Sequence, residues 1–327
     1  MYQERIPLYT EIERRLDSKL LVYVTSDRQG FEAVIAQDVI DLFIDQLDSI
    51  GIVDKISLLL YTRGGNTAAA WNIVNLLRMY CDDLQVVIPH KAHSAGTLIS
   101  IGANSIVMTK QATLGPIDPS VNNPLNPPIP GASLQETFPV SVEAVKGYIA
   151  FAKEELAIKE DCSLSQIMIA LSEKVHPLVL GQVYRSRAQI KMLAEKLLQN
   201  QITDQAKIQQ IISFLCSDSG SHDYTINRRE AENGLGLNII KPDMELYEVI
   251  KSVYDNFSEE LGFRKFFDPR VVVNENNGEY EIKRGLIESI SGGSDYFTTQ
   301  GRISLVEING QQGIQNEKLF EGWKHEN

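Results

Sequence analysis

The chain has 327 residues, 43% of them apolar and 23% charged, an ordinary globular composition that allows one large domain or one domain with a substantial appendage. Its formal net charge of −12 argues against a nucleic-acid partner, and it holds no run of about 18 apolar residues that would span a membrane. The opening residues, MYQERIPLYTEIERR, are charged where a signal peptide needs an apolar centre, and Cys81, Cys162 and Cys216 are too few and too scattered for a disulfide framework or a zinc site, so a cytoplasmic protein is expected.

In chain order, residues 19–24 (KLLVYV) make an apolar run of strand length. Residues 36–50 place Val39, Phe43, Leu47 and Ile50 at helical spacing and stop at Gly51. A second buried strand is predicted at 56–61 (ISLLLY) and a helix at 67–80, with Trp71, Val74 and Leu77 on one side. Further strands follow at 85–89 (QVVIP) and 105–109 (SIVMT). Strands alternating with helices of this length predict an α/β fold with right-handed crossovers and a mostly parallel sheet, whose ligands bind at the carboxyl ends of the strands.

Residues 115–131 (GPIDPSVNNPLNPPIPG) carry prolines that no helix interior or central strand accepts, so an extended ordered loop is expected. Helices are predicted over 141–157, 164–174, 176–199, 204–216, 227–234 and 244–261. The helix at 176–199 has Leu178, Val179, Val183, Ile190, Met192, Leu193 and Leu197 around much of its circumference, more than one core-facing stripe needs, which predicts a homo-oligomer. From residue 266 the texture changes. Residues 271–274 and 279–283 flank Glu275-Asn276-Asn277-Gly278 like a hairpin, and a charged tail follows Ser291-Gly292-Gly293. The expected organisation is a domain over 1–261 with appended helices, and an extension over 262–327 outside the catalytic core that docks on it or on a neighbouring subunit.

Two glycine-containing turns each follow a strand and open a helix: Thr62-Arg63-Gly64-Gly65-Asn66 and His93-Ser94-Ala95-Gly96-Thr97. A glycine pair lets the backbone bend sharply and present N–H groups. A serine at a strand-to-helix turn stands where orphan N–H groups favour a developing negative charge. Acyl transfer needs a nucleophile and two donors aimed at one oxygen, and the N–H groups of Gly65 and Ala95 are candidates. Taken alone, each turn reads more simply as structural, Gly64-Gly65 as a tight turn and Ser94 as a helix cap.

The run YTRGGNTAAAWNIVNLLR…AHSAGTLISIGANSIVM…ATLGPIDPS closely resembles the serine dehydrogenase proteinase family, which is related to signal peptide peptidase A and to the proteolytic subunit of Clp protease. The resemblance covers roughly residues 6–237 and includes His176-Pro177-Leu178 and Ser221-His222-Asp223-Tyr224. It implies a ClpP/crotonase fold, Ser94 as nucleophile, Gly65 and Ala95 as oxyanion donors, and subunits assembled into rings. The position where the Clp subunit carries its histidine falls near Ile117-Asp118 and holds none. The resemblance to signal peptide peptidase A implies a Ser-Lys dyad instead, with a lysine on a helix about fifty residues on, where Lys146 lies.

Around Lys146 stand Val142, Ile149 and Ala150, an apolar stripe that would desolvate the ammonium and favour the neutral amine a base must be. The alternative is a lysine that reaches solvent or pairs with Glu143. Lys110 and Lys153 are fallback bases, and His222 beside Asp223 is an alternative one. His90, His93 and His176 read as turn, structural and helix-entry residues. No metal-ligand spacing, dinucleotide fingerprint or Walker sequence occurs, so neither metal nor cofactor is expected and catalysis would be independent of ATP. The expected activity is that of a serine peptidase on peptide or protein substrates. A crotonase-like acyl-thioester enzyme, or a scaffold with a vestigial site, are the competing readings.

Overall fold

The computed structural model describes residues 1–118, 120–130, 137–218, 221, 223–274, 276–308 and 311–326. In chain order the elements are α1 (Tyr2–Leu16), β1 (Lys19–Thr25), α2 (Ile40–Ile50), β2 (Lys55–Tyr61), α3 (Thr67–Tyr80), β3 (Asp83–Ile88), β4 (Lys91–Ala92), α4 (Ala95–Ile101), β5 (Ser105–Met108) and β6 (Thr113–Leu114). They continue as β7 (Ser120–Val121), β8 (Val140–Ser141), α5 (Val142–Ala150), α6 (Asp161–Lys174), α7 (Pro177–Leu198) and α8 (Gln205–Ser213). The last are β9 (Ile226–Asn227), β10 (Ile239–Ile240), α9 (Met244–Glu260), α10 (Pro269–Asn274), β11 (Glu279–Ser289), β12 (Gly293–Ile308) and β13 (Gln311–Glu326). The chain divides into two compact units: Met1–Gly115 with Thr225–Asn327, and Pro116–Tyr224.

The first unit is an eight-stranded sheet in the order β10-β5-β3-β2-β1-β11-β12-β13. From β10 to β1 every pairing is parallel, and from β1 to β13 every pairing is antiparallel. β1 and β2 are buried along six of their seven residues, as strands covered on both faces must be. Alternate β1 residues serve opposite faces. Val22 and Val24 join Tyr9 and Ile12 of α1 and Ile250, Val253 and Phe257 of α9 in one apolar cluster. Tyr23 meets Phe43 of α2 edge-on at 5.3 Å. This is the α/β architecture with a parallel core that the sequence predicts; β1, β2, α3, β3 and β5 lie within two residues of their expected bounds, while the helix expected from residue 36 begins as α2 at Ile40 and the short β4 has no expected counterpart.

The boundary expected after Leu261 is not where the structure divides. β11 pairs with β1 in the main sheet, Leu21 opposite Ser289 and Thr25 opposite Gly285. Leu286, Ile287 and Tyr296 are fully buried, so the last strands belong to the first unit rather than to an extension. A buried ionic cluster adds to that closure. Arg5 and Glu288 are both fully buried and share a bidentate pair, Nε–Oε2 3.0 Å and Nη2–Oε1 2.5 Å. Tyr9 and Ser294 donate their hydroxyls to the same carboxylate. The expected hairpin around residues 275–278 is likewise not found. Pro269 opens a short helix, and Asp268 accepts the N–H groups of Arg270 and Val271, so Val271–Val273 turn as α10 despite their β-branching. The tight turn lies instead at Ser291-Gly292-Gly293, where Gly293 takes φ +75°.

The second unit is the helical run. β7 and β8 pair antiparallel, and Val121, Val140, Val142, Val179 and Val183 form its small core. The segment expected as a plain loop therefore contributes a strand, held by Asn126 Nδ2 donating to Val121 O and Phe138 O; Pro119 and Gly131 lie outside the described residues. α7 opens with Pro177 in its first turn and His176 Nδ1 accepting the Leu178 N–H. Leu178 and Met192 stay exposed on it, and α6 buries no residue at all.

Candidate active site

Both turns singled out in the sequence fall at the carboxyl end of the parallel strands, in the first unit. After β2, Thr62 N–H donates to Lys91 O, and Gly64 N–H donates to the Thr62 hydroxyl at 3.0 Å. Ile35 N–H donates to Gly64 O, and Asn66 N–H donates to Ile35 O, so the amides on either side of Gly65 are tied down. Gly65 itself is exposed, and among the described residues its N–H meets no protein acceptor. Gly64 and Gly65 take φ +117° and +144°. A Cβ on Gly65 would lie 2.2 Å from Ile35 O, so only glycine closes this turn.

After β3, His93 N–H donates to Thr62 O, which binds the second turn to the first. Ser94 follows at φ +50°, ψ −112°, a left-handed conformation that a serine adopts only under constraint. The constraint is visible downstream. The buried Thr97 hydroxyl lies 2.9 Å from Ala92 O and 2.8 Å from Gly115 O and accepts the Gly115 N–H, while α4 is buried along its whole length. A Cβ on Gly96 would meet Thr62 Cγ2 at 2.4 Å, so the helix start presses directly on the first turn. Ser94 occupies the position of a helix cap, yet its hydroxyl makes no capping bond and its dihedrals are not those of a cap. The capping reading is thus excluded, and among the described residues the half-buried hydroxyl has no hydrogen-bond partner. The two turns touch, since a Cβ on Gly64 would lie 2.7 Å from Ser94 Cβ and 3.2 Å from its Oγ. α4 has only seven residues, so any anion stabilisation there comes from individual first-turn N–H groups such as that of Ala95 more than from a summed dipole.

A cluster that sequence reasoning missed reinforces both turns. Asp27, just past β1, accepts the Tyr61 hydroxyl at 2.6 Å, pairs with Lys91 and lies 3.6 Å from Arg63 Nε. Tyr61, Arg63 and Lys91 flank the two turns in sequence, so one carboxylate braces both. Burial, and then Asp27, push the Tyr61 phenol well above its ordinary range. Nothing in the local sequence marks Asp27, because its partners come from different segments. His93 Nε2 bonds Thr113 Oγ1 at 2.9 Å, and His90 stacks on Tyr254 at 5.4 Å, its imidazole pulled down by burial and then by Lys91.

The candidate bases stand differently. Lys146 lies on α5 in the second unit, where the buried side of the helix is made by Val142 and Val145. The desolvation expected for it is not found: its side chain is 43% exposed and its ammonium lies 3.6 Å from Glu143, one turn back. Of the apolar neighbours read from the sequence, Val142 is buried and Ile149 and Ala150 are half-buried, while Lys146 itself is exposed. Lys110 sits 4.4 Å over the Tyr247 ring, Lys153 is exposed, and His222 lies outside the described residues. Among the described residues no group of His, Cys, Asp and Glu is placed to hold a metal ion.

Residues 49–139 match the model of a family described as ClpP-like SDH-type serine proteinase, a segment that contains both turns and Ser94. The family resemblance carried by YTRGGN and AHSAGT therefore holds, and at family level it supports a serine peptidase. An uncharacterized protein of Methanocaldococcus jannaschii is 29% identical over 199 residues, 59% of this chain and 58% of its own length, so the chain spans less than two thirds of that relative. Among solved structures, a variant of the 1510-N membrane-bound stomatin-specific protease superposes with a TM-score of 0.40 at 15% identity, covering 75% of this chain and 86% of its own. A variant of ClpP1 from Listeria monocytogenes gives 0.38 at 16% identity, covering 72% and 99%.

Proposed function

We propose that this chain hydrolyses peptide bonds with Ser94 as nucleophile, the N–H groups of Gly65 and Ala95 as oxyanion donors and Lys146 as general base. The observation that carries this reading is the constrained, uncapped Ser94 pressed against a turn that only glycine can form. Ser94 Oγ bonds to the scissile carbonyl carbon as its proton passes to the Lys146 amine. The carbonyl oxygen takes the negative charge, and the two N–H groups hold it. Collapse breaks the C–N bond, and the proton moves from Lys146 to the leaving amine. Water then attacks the acyl-enzyme by the same proton route and frees Ser94. For Lys146 to act, its side chain must leave Glu143. An enolate-stabilising thioester enzyme would have no use for a strained serine at this point.

No step requires a nucleotide, metal or cofactor. We place the enzyme in the cytoplasm as a homo-oligomer: all three cysteines are free thiols, and the exposed Leu178, Tyr184 and Met192 of α7 suit a subunit contact. Among the described residues no helix is long and apolar enough to cross a membrane.

The test is a serine-directed phosphonofluoridate, with the adduct located by mass spectrometry. Labelling of Ser94, lost in Ser94→Ala, is expected; labelling elsewhere or nowhere would overturn the nucleophile assignment. Lys146→Ala is expected to lower turnover about as far as Ser94→Ala, because members of a dyad act as one unit. If Lys146→Ala stays active while His222→Ala is dead, the histidine replaces the lysine.

A further inference from the structure

The last strands of the first unit do more than complete a sheet. Residues 33–36 run beside the glycine turn, with Ile35 hydrogen-bonded to both sides of Gly65 and fully buried. Extended backbone sends alternate side chains to opposite sides, so Val34 and Ala36 face away from the core that holds Ile35. They line a cavity of about 200 Å³ whose opposite wall is Phe297 of β12 and Trp323 of β13, their rings 5.4 Å apart.

The polar groups around this cavity are already engaged. Trp323 Nε1 donates to Asp38 Oδ2 at 3.0 Å. The Arg284 guanidinium lies 5.4 Å from the Phe297 ring and donates to Phe31 O, Glu32 O, Thr299 and Glu321. The apolar share of the lining comes from Ala33, Val34, Ala36, Phe297 and Trp323, beside the charged Glu32, Asp38, Arg284 and Glu321. Val34 nonetheless leaves 54% of its surface to solvent, an open apolar position beside a candidate oxyanion donor. The volume falls below the roughly 300–1,000 Å³ of pockets that take whole drug-sized ligands, and it suits one side chain.

We infer that this cavity is the specificity pocket of the site: it receives one apolar side chain of the substrate peptide, with Val34 and Ala36 on one wall and Phe297 and Trp323 on the other. The inference rests on the peptidase reading and names its substrate class, peptides with a leucine-like residue near the scissile bond. It also assigns a task to strands outside the segment that matches the family.

The experiment uses peptidyl diphenyl phosphonates in which leucine or alanine is placed in turn at each position flanking the phosphonate. The readout is the ratio of Ser94 labelling rates, leucine over alanine, so each variant serves as its own reference. In the wild type one position should favour leucine by at least about tenfold, as an apolar pocket discriminates by its occupant's methylenes. Val34→Trp, at an exposed position that tolerates bulk, should fill the cavity and bring that ratio near one, and Trp323→Ala should lower it. If the small phosphonofluoridate labels Ser94 but Val34→Trp leaves every ratio unchanged, the pocket assignment falls and the nucleophile stands. If wild-type Ser94 takes neither probe, both fall together.

Discussion

The two units hold their candidate catalytic groups in opposite ways. In the first, Ser94 sits on a sheet buried on both faces, and its turn is pinned by Thr62, Thr97 and a bracing carboxylate at Asp27. In the second, Lys146 is exposed on a nine-residue helix over a five-valine core, beside an α6 that buries nothing. Preorganisation is a property of surroundings, and the surroundings of Ser94 are complete where those of Lys146 are open. A serine held so firmly can keep a backbone conformation that costs energy, because the packing around it shuts out the alternatives.

The largest expected effect breaks the comparison at its strongest point. Ser94→Ala should lower peptide hydrolysis on the order of 10³-fold or more, with folding retained. Ser94→Gly should be equally inactive yet more stable than the alanine variant by about 1–2 kcal/mol in urea unfolding, since glycine accepts φ +50° without strain. Equal stabilities would show that the serine backbone stores nothing. Next comes Arg5→Ala, which strands the fully buried Glu288 carboxylate and should cost about 3–5 kcal/mol by the same measurement. A loss under about 1 kcal/mol would mean that the closure of β11 on the first unit does not depend on this pair. Gly65→Ala should cut kcat by about 10²-fold, as expected for one displaced oxyanion donor, because the new methyl collides with Ile35. Wild-type kcat in that variant would remove Gly65 from the site. At the other extreme, Ile169→Ser on α6 should shift stability by no more than about 0.5 kcal/mol in the isolated chain, its side chain being 60% exposed. A larger loss, or a fall in oligomer mass by light scattering, would show that α6 is covered in the assembled protein.

Much of the first unit is legible in the sequence, for a physical reason. β1, β2 and β3 are buried on both faces, so each appears as a mainly apolar run, broken inside only by Ser57 in β2 and Gln85 in β3, and the turns between them carry their glycines openly. Ser94 is legible by its place after a strand, but its strain is not, because dihedrals imposed by Thr62 and Thr97 leave no mark on the serine's own neighbours. α1 escapes prediction: no element is expected before residue 19, while Arg5 is in fact buried against a carboxylate 283 residues away. Asp27 escapes on the same ground. The Val271–Val273 run misleads because β-propensity speaks for a strand, and the cap at Asp268 with Pro269 decides for a helix. Lys146 takes an apolar setting from its sequence neighbours, yet its own side chain stays 43% exposed on α5 beside Glu143.

The pairing of β1 with β11 also sets a clock. At roughly 5–20 residues per second, a ribosome needs on the order of tens of seconds to travel from Arg5 to Glu288. During that interval the edge of β1 that β11 will cover is open, the Arg5–Glu288 pair is unmade, and the strands that carry Phe297 and Trp323 have not been added. Closure of so distant a contact comes late in folding because its loop entropy must be met first. The nascent chain thus carries Ser94 for most of its synthesis without the completed sheet, which closes only with the final strands.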